Sequence, residues 1–202
     1  MNLQTFTLGD LQTNCYLLDN GQEALIIDPA DDGDFLNEEL SRQNLILTRV
    51  ILTHGHFDHC LGLLSLATAW PKLPIMLHPA DNFLIAQAQN NARHWLNKEI
   101  DPVPEANQTL SDGQIINFGQ ETLKVMHMPG HTPGGVALLS EKQDNDETYL
   151  FTGDTLFANG VGRTDFSYSS YQDLLNSLAK LKGLKQAGAY SLALPGHGDS
   201  FY

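Results

Sequence analysis

Apolar positions along the chain fall into short runs broken by turn residues and longer stretches with helical spacing. Residues 2–8, 14–18 and 23–28 are rich in Leu, Ile, Phe and Tyr and are separated by Gly9-Asp10 and Asn20-Gly21. That pattern predicts three strands, the third closed by Asp28-Pro29. Residues 33–43, GDFLNEELSRQ, place Phe35, Leu36 and Leu40 on one face and predict an amphipathic helix. A strand is expected over 47–53 and a helix over 58–70, stopped by Pro71. Ile75–Leu77 predicts a short strand, and 80–98, with Pro79 near its start, a longer helix. Beyond the Pro-containing connector 101–107, strands are expected at 114–118, 121–128, 135–140 and 148–152. A helix follows at Tyr171–Leu181 and a last strand at Ser191–Leu194.

Both halves read as strands first and helices after. The expected class is α+β, with two packed sheets, helices outside and one sheet from each half. A chain of 202 residues suits one domain built from two lobes, about 1–100 and 101–202. Neither half has strands enough to cover both of its own faces.

Composition narrows the function. A net charge of −13 repels phosphate backbones, so no nucleic-acid partner is expected. Two cysteines, Cys15 and Cys60, do not make a disulfide framework. The N-terminus lacks a basic segment followed by an apolar one, and no apolar run approaches the roughly 20 residues that span a bilayer. The expectation is a cytoplasmic protein with no membrane partner and a small-molecule substrate; oligomeric state is open.

The chemistry concentrates in Thr53-His54-Gly55-His56-Phe57-Asp58-His59, directly after an apolar strand. In extended chain the side-chain period is two, so His54 and His56 can face one way. Asp58 and His59 follow where the chain turns toward a helix and can address a second point beside the first. Two imidazoles and a carboxylate leave a metal short of ligands. The remaining candidates each follow or adjoin glycine at a strand end: His131 in MPGHTPG, Asp154 in FTGDT and His197 in LPGHG.

The strings THGHFDH, PGHTPG, TGDTLF and PGHG, in that order, resemble the metallo-β-lactamase superfamily and, within it, compact glyoxalase II-like (hydroxyacylglutathione hydrolase-like) hydrolases. The resemblance runs from TLGDLQTNCYLL to PGHG, nearly the whole chain. It implies the metallo-β-lactamase fold, a four-layer αβ/βα sandwich with a binuclear site at the edge between the sheets. It implies His54, His56 and His131 as ligands of one metal, Asp58, His59 and His197 as ligands of the other, and Asp154 as the bridge. Zinc is the expected metal, and iron and manganese also suit imidazole with carboxylate. Asp28 matches a family aspartate near the loop and is read as orienting an imidazole; the plainer reading is a strand-end aspartate before proline. His127 is read as a supporting or packing residue, His78 and His94 as non-ligands, and both cysteines as buried apolar positions.

The resemblance implies attack by a metal-bridging hydroxide on a thioester such as S-lactoylglutathione, with Asp58 managing the proton. Arg163, in the loop NGVGRTD, corresponds to a cation that can hold a substrate carboxylate; the alternative is a structural arginine paired with Asp165. Two features depart from glyoxalase II. The helical extension that contributes to its glutathione site is expected to be absent, and Asp165 stands where an aromatic residue is common. The segment Gly162–Phe166 also resembles persulfide dioxygenases, which hold a single iron, and lactone or ester hydrolysis is open to the same chemistry. A β-lactamase is disfavoured because Asp154 stands at the bridging position in place of Cys, and an RNA nuclease by acidity.

Overall fold

The computed structural model describes residues 1–140 and 147–202, which divide into two compact units, Met1–Thr109 and Leu110–Tyr202. The first unit runs β1 (Asn2–Leu8), β2 (Thr13–Asp19), β3 (Glu23–Ile27), α1 (Gly33–Arg42), β4 (Ile46–Ile51), α2 (Leu63–Ala69), β5 (Ile75–Leu77), α3 (Asn82–Ala86), α4 (Ala88–Leu96) and β6 (Gln108–Thr109). Its six strands form one sheet in sequence order, β1-β2-β3-β4-β5-β6. The first two pairings are antiparallel hairpins, and β3 to β6 run parallel. The parallel strands explain the unbroken apolar run Ala24–Ile27, since such strands are covered on both faces.

Asp32 caps α1 by accepting from the Phe35 N–H at 3.0 Å, and Leu36 and Leu40 turn into a core shared with Leu63 and Leu66 of α2. The two helices approach closely at Gly33, where a Cβ would lie 2.3 Å from the Gly62 carbonyl.

Three departures from the sequence reading bear on function. The expected strand 47–53 ends at Ile51, because Asp28 Oδ1 takes the Thr53 N–H at 2.7 Å, so the chain leaves the ladder. The expected helix 58–70 is split into a single 3₁₀ turn, Phe57–His59, and α2. Between them Gly62 N–H donates to Ala30 O at 2.7 Å, and that bond to a neighbouring turn replaces a helical one. The expected helix 80–98 breaks at Gln87 because its buried residues serve different clusters, Ile85 the sheet core and Ala88 and Ala92 a pocket around Phe57. Strand β6 was not expected; it pairs with β5 and belongs to the first unit.

The second unit runs β7 (Ile115–Phe118), β8 (Glu121–His127), β9 (Val136–Ser140), β10 (Tyr149–Gly153), β11 (Leu156–Phe157), β12 (Gly160–Val161), α5 (Tyr171–Gln186) and β13 (Leu192–Pro195). Its main sheet has the order β13-β10-β9-β8-β7, with β10 and β13 parallel and the other pairs antiparallel. Each unit thus carries one main sheet, as the strand pattern predicts. Helix α5 passes the expected end at Leu181, since Leu181 and Leu184 pack with Met128, Leu150 and Ala193 beneath it. The small hairpin β11–β12 was not expected. No helix among the described residues is long and apolar enough to cross a membrane.

Candidate metal centre

In the first unit the donors follow the end of β4. The rings of His54 and His56 meet with Nε2 and Nδ1 3.0 Å apart, and the rings of His54 and His59 have centroids 4.2 Å apart. Three imidazoles therefore converge within one loop. His54 and His59 are buried, while His56 and Asp58 are partly open.

His59 is held from behind. Its Nδ1 donates to Asp28 Oδ2 at 2.9 Å, and the same carboxylate takes the Thr53 N–H and its hydroxyl at 2.7 and 2.6 Å. Asp28 itself sits at φ 52°, a left-handed conformation just before Pro29, and Ala30 repeats it at φ 48°. Strain of this kind persists where surrounding bonds impose it; here the three bonds at Asp28 do so.

With Nδ1 turned to Asp28, the ring presents its Nε2 3.5 Å from Asp58 Oδ2. Asp58 Oδ2 is fixed in turn by the Thr13 hydroxyl at 2.9 Å. Gly55 lies against the carbonyl of Asp81 and Leu84, where a Cβ would fall 2.7 and 2.9 Å away, and its N–H donates to the buried Asp81 carboxylate at 3.0 Å. Sequence reasoning missed Thr13 and Asp81. Both lie far along the chain from the residues they hold; Thr13 falls within the string TLGDLQTNCYLL, but nothing in that string points to Asp58.

In the second unit His131 follows Gly130, whose φ of +143° and close approach to Leu174 (2.4 Å from a would-be Cβ) admit no side chain. The start of α5 and the two residues before it hold this bend: Ser169 Oγ donates to His131 O, Ser170 N–H to Gly130 O and Ser177 Oγ to Pro129 O. His131 Nδ1 donates to the Arg163 carbonyl at 2.9 Å, leaving its Nε2 3.6 Å from Asp154 Oδ2. His197 Nε2 stands at the same 3.6 Å from the same oxygen. The β10 register shifts at its end, where Gly153 adopts φ 49°, and Asp154 leaves the sheet there.

These distances test the fit of a cation. A neutral imidazole lone pair facing a carboxylate oxygen repels it unless a positive charge lies between them. Two ligands each about 2.0–2.2 Å from one tetrahedral ion stand about 3.4 Å apart. The separations of 3.5 and 3.6 Å, too long for a hydrogen bond, match that arrangement. Within each unit the donor chemistry fits a divalent metal.

The remaining residues singled out by sequence lie elsewhere or do other work. His127 Nε2 donates to Pro133 O at 2.9 Å and so braces the turn that carries His131. His78 caps a 3₁₀ turn by accepting from Ala80 N–H, and His94 packs on Trp95. Cys15 and Cys60 are fully buried, and burial raises both thiols well above their ordinary range. Arg163 makes a two-point ion pair with Asp165, at 2.6 Å through both Nε and Nη2.

Sheet-end imidazoles whose far nitrogens are anchored on acceptors, grouped with carboxylates, are the donor arrangement of a metal-dependent hydrolase. The chain belongs to the metallo-beta-lactamase superfamily, whose model matches residues 8–191, and it has the metallo-β-lactamase fold. Among similar proteins, an uncharacterized protein of Mycobacterium tuberculosis strain H37Rv is 35% identical over 99% of this chain and 92% of its own length. The hydroxyacylglutathione hydrolase GloC of Haemophilus influenzae is 30% identical over 88% and 82%. Among solved structures, TTHA1623 in a di-iron-bound form is 35% identical with a TM-score of 0.83, covering 98% of this chain and 93% of that one. The B3 metallo-beta-lactamase BLEG-1 is 30% identical with a TM-score of 0.83, covering 99% and 93%. ETHE1 from Myxococcus xanthus is 25% identical with a TM-score of 0.72, covering 98% and 76%.

Proposed function

We propose that the two donor sets act together as one dinuclear centre and that the protein hydrolyses a small acyl thioester. In this reading His54, His56 and His131 would hold one metal, Asp58, His59 and His197 the other, and Asp154 would serve both. The observation that carries it is the position of Asp154 Oδ2, 3.6 Å from both His131 Nε2 and His197 Nε2. One carboxylate oxygen equidistant from two imidazoles on different segments suits a shared ligand. Two divalent cations, when bound, supply Lewis acidity and a water that ionises near neutral pH.

The chain's own residues do the rest. Asp28 and the Arg163 carbonyl keep His59 and His131 in the tautomer that points Nε2 at the centre. Asp58, fixed by Thr13, orients the attacking water and takes its proton. Water adds to the thioester carbonyl, a C–O bond forms and the C–S bond breaks. The products are a carboxylic acid and a thiol. Thiols ionise near pH 8.5, so the leaving group needs no strong proton donor. The similarity to a hydroxyacylglutathione hydrolase supports this substrate class.

Elemental analysis of the purified protein, joined to assays on thioesters, lactones, a β-lactam and glutathione persulfide, tests the reading. Two metals per chain, zinc in this reading, with thioester cleavage are expected. One iron per chain with oxygen uptake on the persulfide would replace it with the dioxygenase reading, for which ETHE1 is the neighbour. Two irons, as in the di-iron neighbour, would change the metal and keep the reaction.

A further inference from the structure

The ligand loop leaves its sheet between two parallel neighbours. β3, β4 and β5 lie side by side and run the same way, so the segments that follow them emerge at one edge. The segment after β3 supplies Asp28, which holds Thr53 and His59. The segment after β5 supplies Asp81, at the end of the 3₁₀ turn Pro79–Asp81. Asp81 is completely buried, and its Oδ2 accepts from the Gly55 N–H at 3.0 Å. Buried carboxylates from both flanking segments thus grip residues 53–59.

Two local preferences give way to the Asp81 contact. Asp81 stands at the N-cap of α3, where an aspartate ordinarily accepts from the first N–H groups of the helix. It makes no such bond, and its carboxylate turns to Gly55 instead. Gly55 lies outside the left-handed region, so its backbone conformation does not call for glycine. The turn at Asp81 does: a Cβ on Gly55 would lie 2.7 Å from the Asp81 carbonyl oxygen and 3.2 Å from the Asp81 Cβ. Local rules set aside on both partners of one contact mark a place held for function.

Gly55 separates His54 from His56, and its N–H belongs to the peptide that joins it to His54. Fixing that peptide fixes the directions in which the two side chains leave the loop. Their rings meet with Nε2 and Nδ1 3.0 Å apart and planes 79° from parallel. We propose that Asp81 is the positioning residue of the His54–His56 pair, as Asp28 is of His59. This rests on the dinuclear reading, which assigns those two imidazoles to one metal and His59 to the other. Donors held in place beforehand lose less freedom when they bind. Removing Asp81 therefore weakens the metal of His54 and His56 and spares its neighbour.

The test is a two-step cobalt titration of the full chain, followed by visible absorption. Asp81→Ala is expected to weaken one equivalent about tenfold to a hundredfold, and Asp28→Ala the other. Asp81→Asn, whose side-chain oxygen still accepts, should recover most of the loss. If Asp81→Ala does not fold, Asp81→Ser, too short to reach Gly55, takes its place. Loss at the equivalent that Asp28→Ala affects, loss shared equally by both, no loss, or a loss that Asp81→Asn does not repair overturns the proposal. Hydrogen exchange of the Gly55 amide adds a readout without metal. It should be slow in the wild type and in Asp81→Asn and fast in Asp81→Ala; fast exchange in the wild type also overturns the proposal. If the wild type binds fewer than two metals, the dinuclear reading fails on its own. The His54–His56 ring contact, followed by nuclear Overhauser effects in the metal-free chain, then decides Asp81: its loss in Asp81→Ala upholds the positioning role, and its persistence removes it.

Discussion

Asp28 Oδ2 lies 2.9 Å from Nδ1 of His59, with both side chains buried and the carboxylate bonded a second and third time to Thr53. One residue thereby ends β4, starts the ligand loop and sets the tautomer of an imidazole. Removing such an outer partner typically costs a metal site tenfold to a hundredfold in affinity. Asp28→Ala is expected to weaken metal binding by about that factor, measured against a chromophoric chelator, with one of the two equivalents affected more. Equal, full-affinity binding of both metals would contradict the orienting role.

Gly162 offers a second test. A methyl group there meets the Asp154 carbonyl at 2.0 Å, and neither partner is a flexible side-chain end. Overpacking of this kind costs about 1–3 kcal/mol. Gly162→Ala should lower the melting temperature and reduce metal content, because the segment that moves carries the Arg163 carbonyl away from His131. Gly160→Ala, where a Cβ meets nothing within 4 Å, is the control and should keep its metal.

Metal removal should destabilise the fold. A ligand present at a thousand times its dissociation constant contributes about 4 kcal/mol to stability. Chelation is expected to lower the melting temperature of the wild type. In Asp154→Ala, which lacks the proposed bridge, chelation should produce a much smaller drop. An equal drop in both proteins would argue against Asp154 as a ligand.

Both thiols are expected to be silent in the folded protein. Cys15 and Cys60 are fully buried, and desolvation disfavours the thiolate that would react. A disulfide reagent should label neither cysteine under native conditions and two per chain in denaturant. Native labelling of Cys60, next to His59, would show that the ligand loop opens.

The Arg163–Asp165 pair sets a pH expectation. Hydrogen bonding from Arg163 lowers the Asp165 carboxyl from 3.8 to about 2. A carboxylate with a depressed folded-state pKa stabilises fully above its unfolded value, and the effect is lost as pH falls through the folded one. The pair's contribution should thus be intact at neutral pH and fade between 3.8 and about 2. A carbon-detected NMR titration of Asp165 checks this, and an ordinary midpoint near 3.8 would show that the pair opens in solution.

Much of this was legible in the chain. Runs of alternating or continuous apolar residues marked β1 to β5 and β7 to β10 within a residue or two, because strand burial is written into local pattern. The donor motifs were legible for a similar reason: ligands on short loops need glycine and proline at fixed offsets. Helix ends were less legible. Gln87 carries no breaking signal, and α3 and α4 part only because their apolar residues enter separate clusters. Strands β6, β11 and β12, two residues each, are too short to leave a periodic trace.

Sequence alone determined the class of the fold, the set of candidate donors and the acidity of the chain, since each depends on residue type and local spacing. Tertiary structure decided what stands behind the candidate donors: that the imidazole Asp28 orients is His59, and that Thr13 holds Asp58, Asp81 holds Gly55 and the Arg163 carbonyl lies under His131. It also decided that Arg163 turns to Asp165. Hydrogen bonds between residues distant in the chain, or through a backbone carbonyl that every residue shares, leave no mark on composition or periodicity. They exist only once packing has brought the partners together.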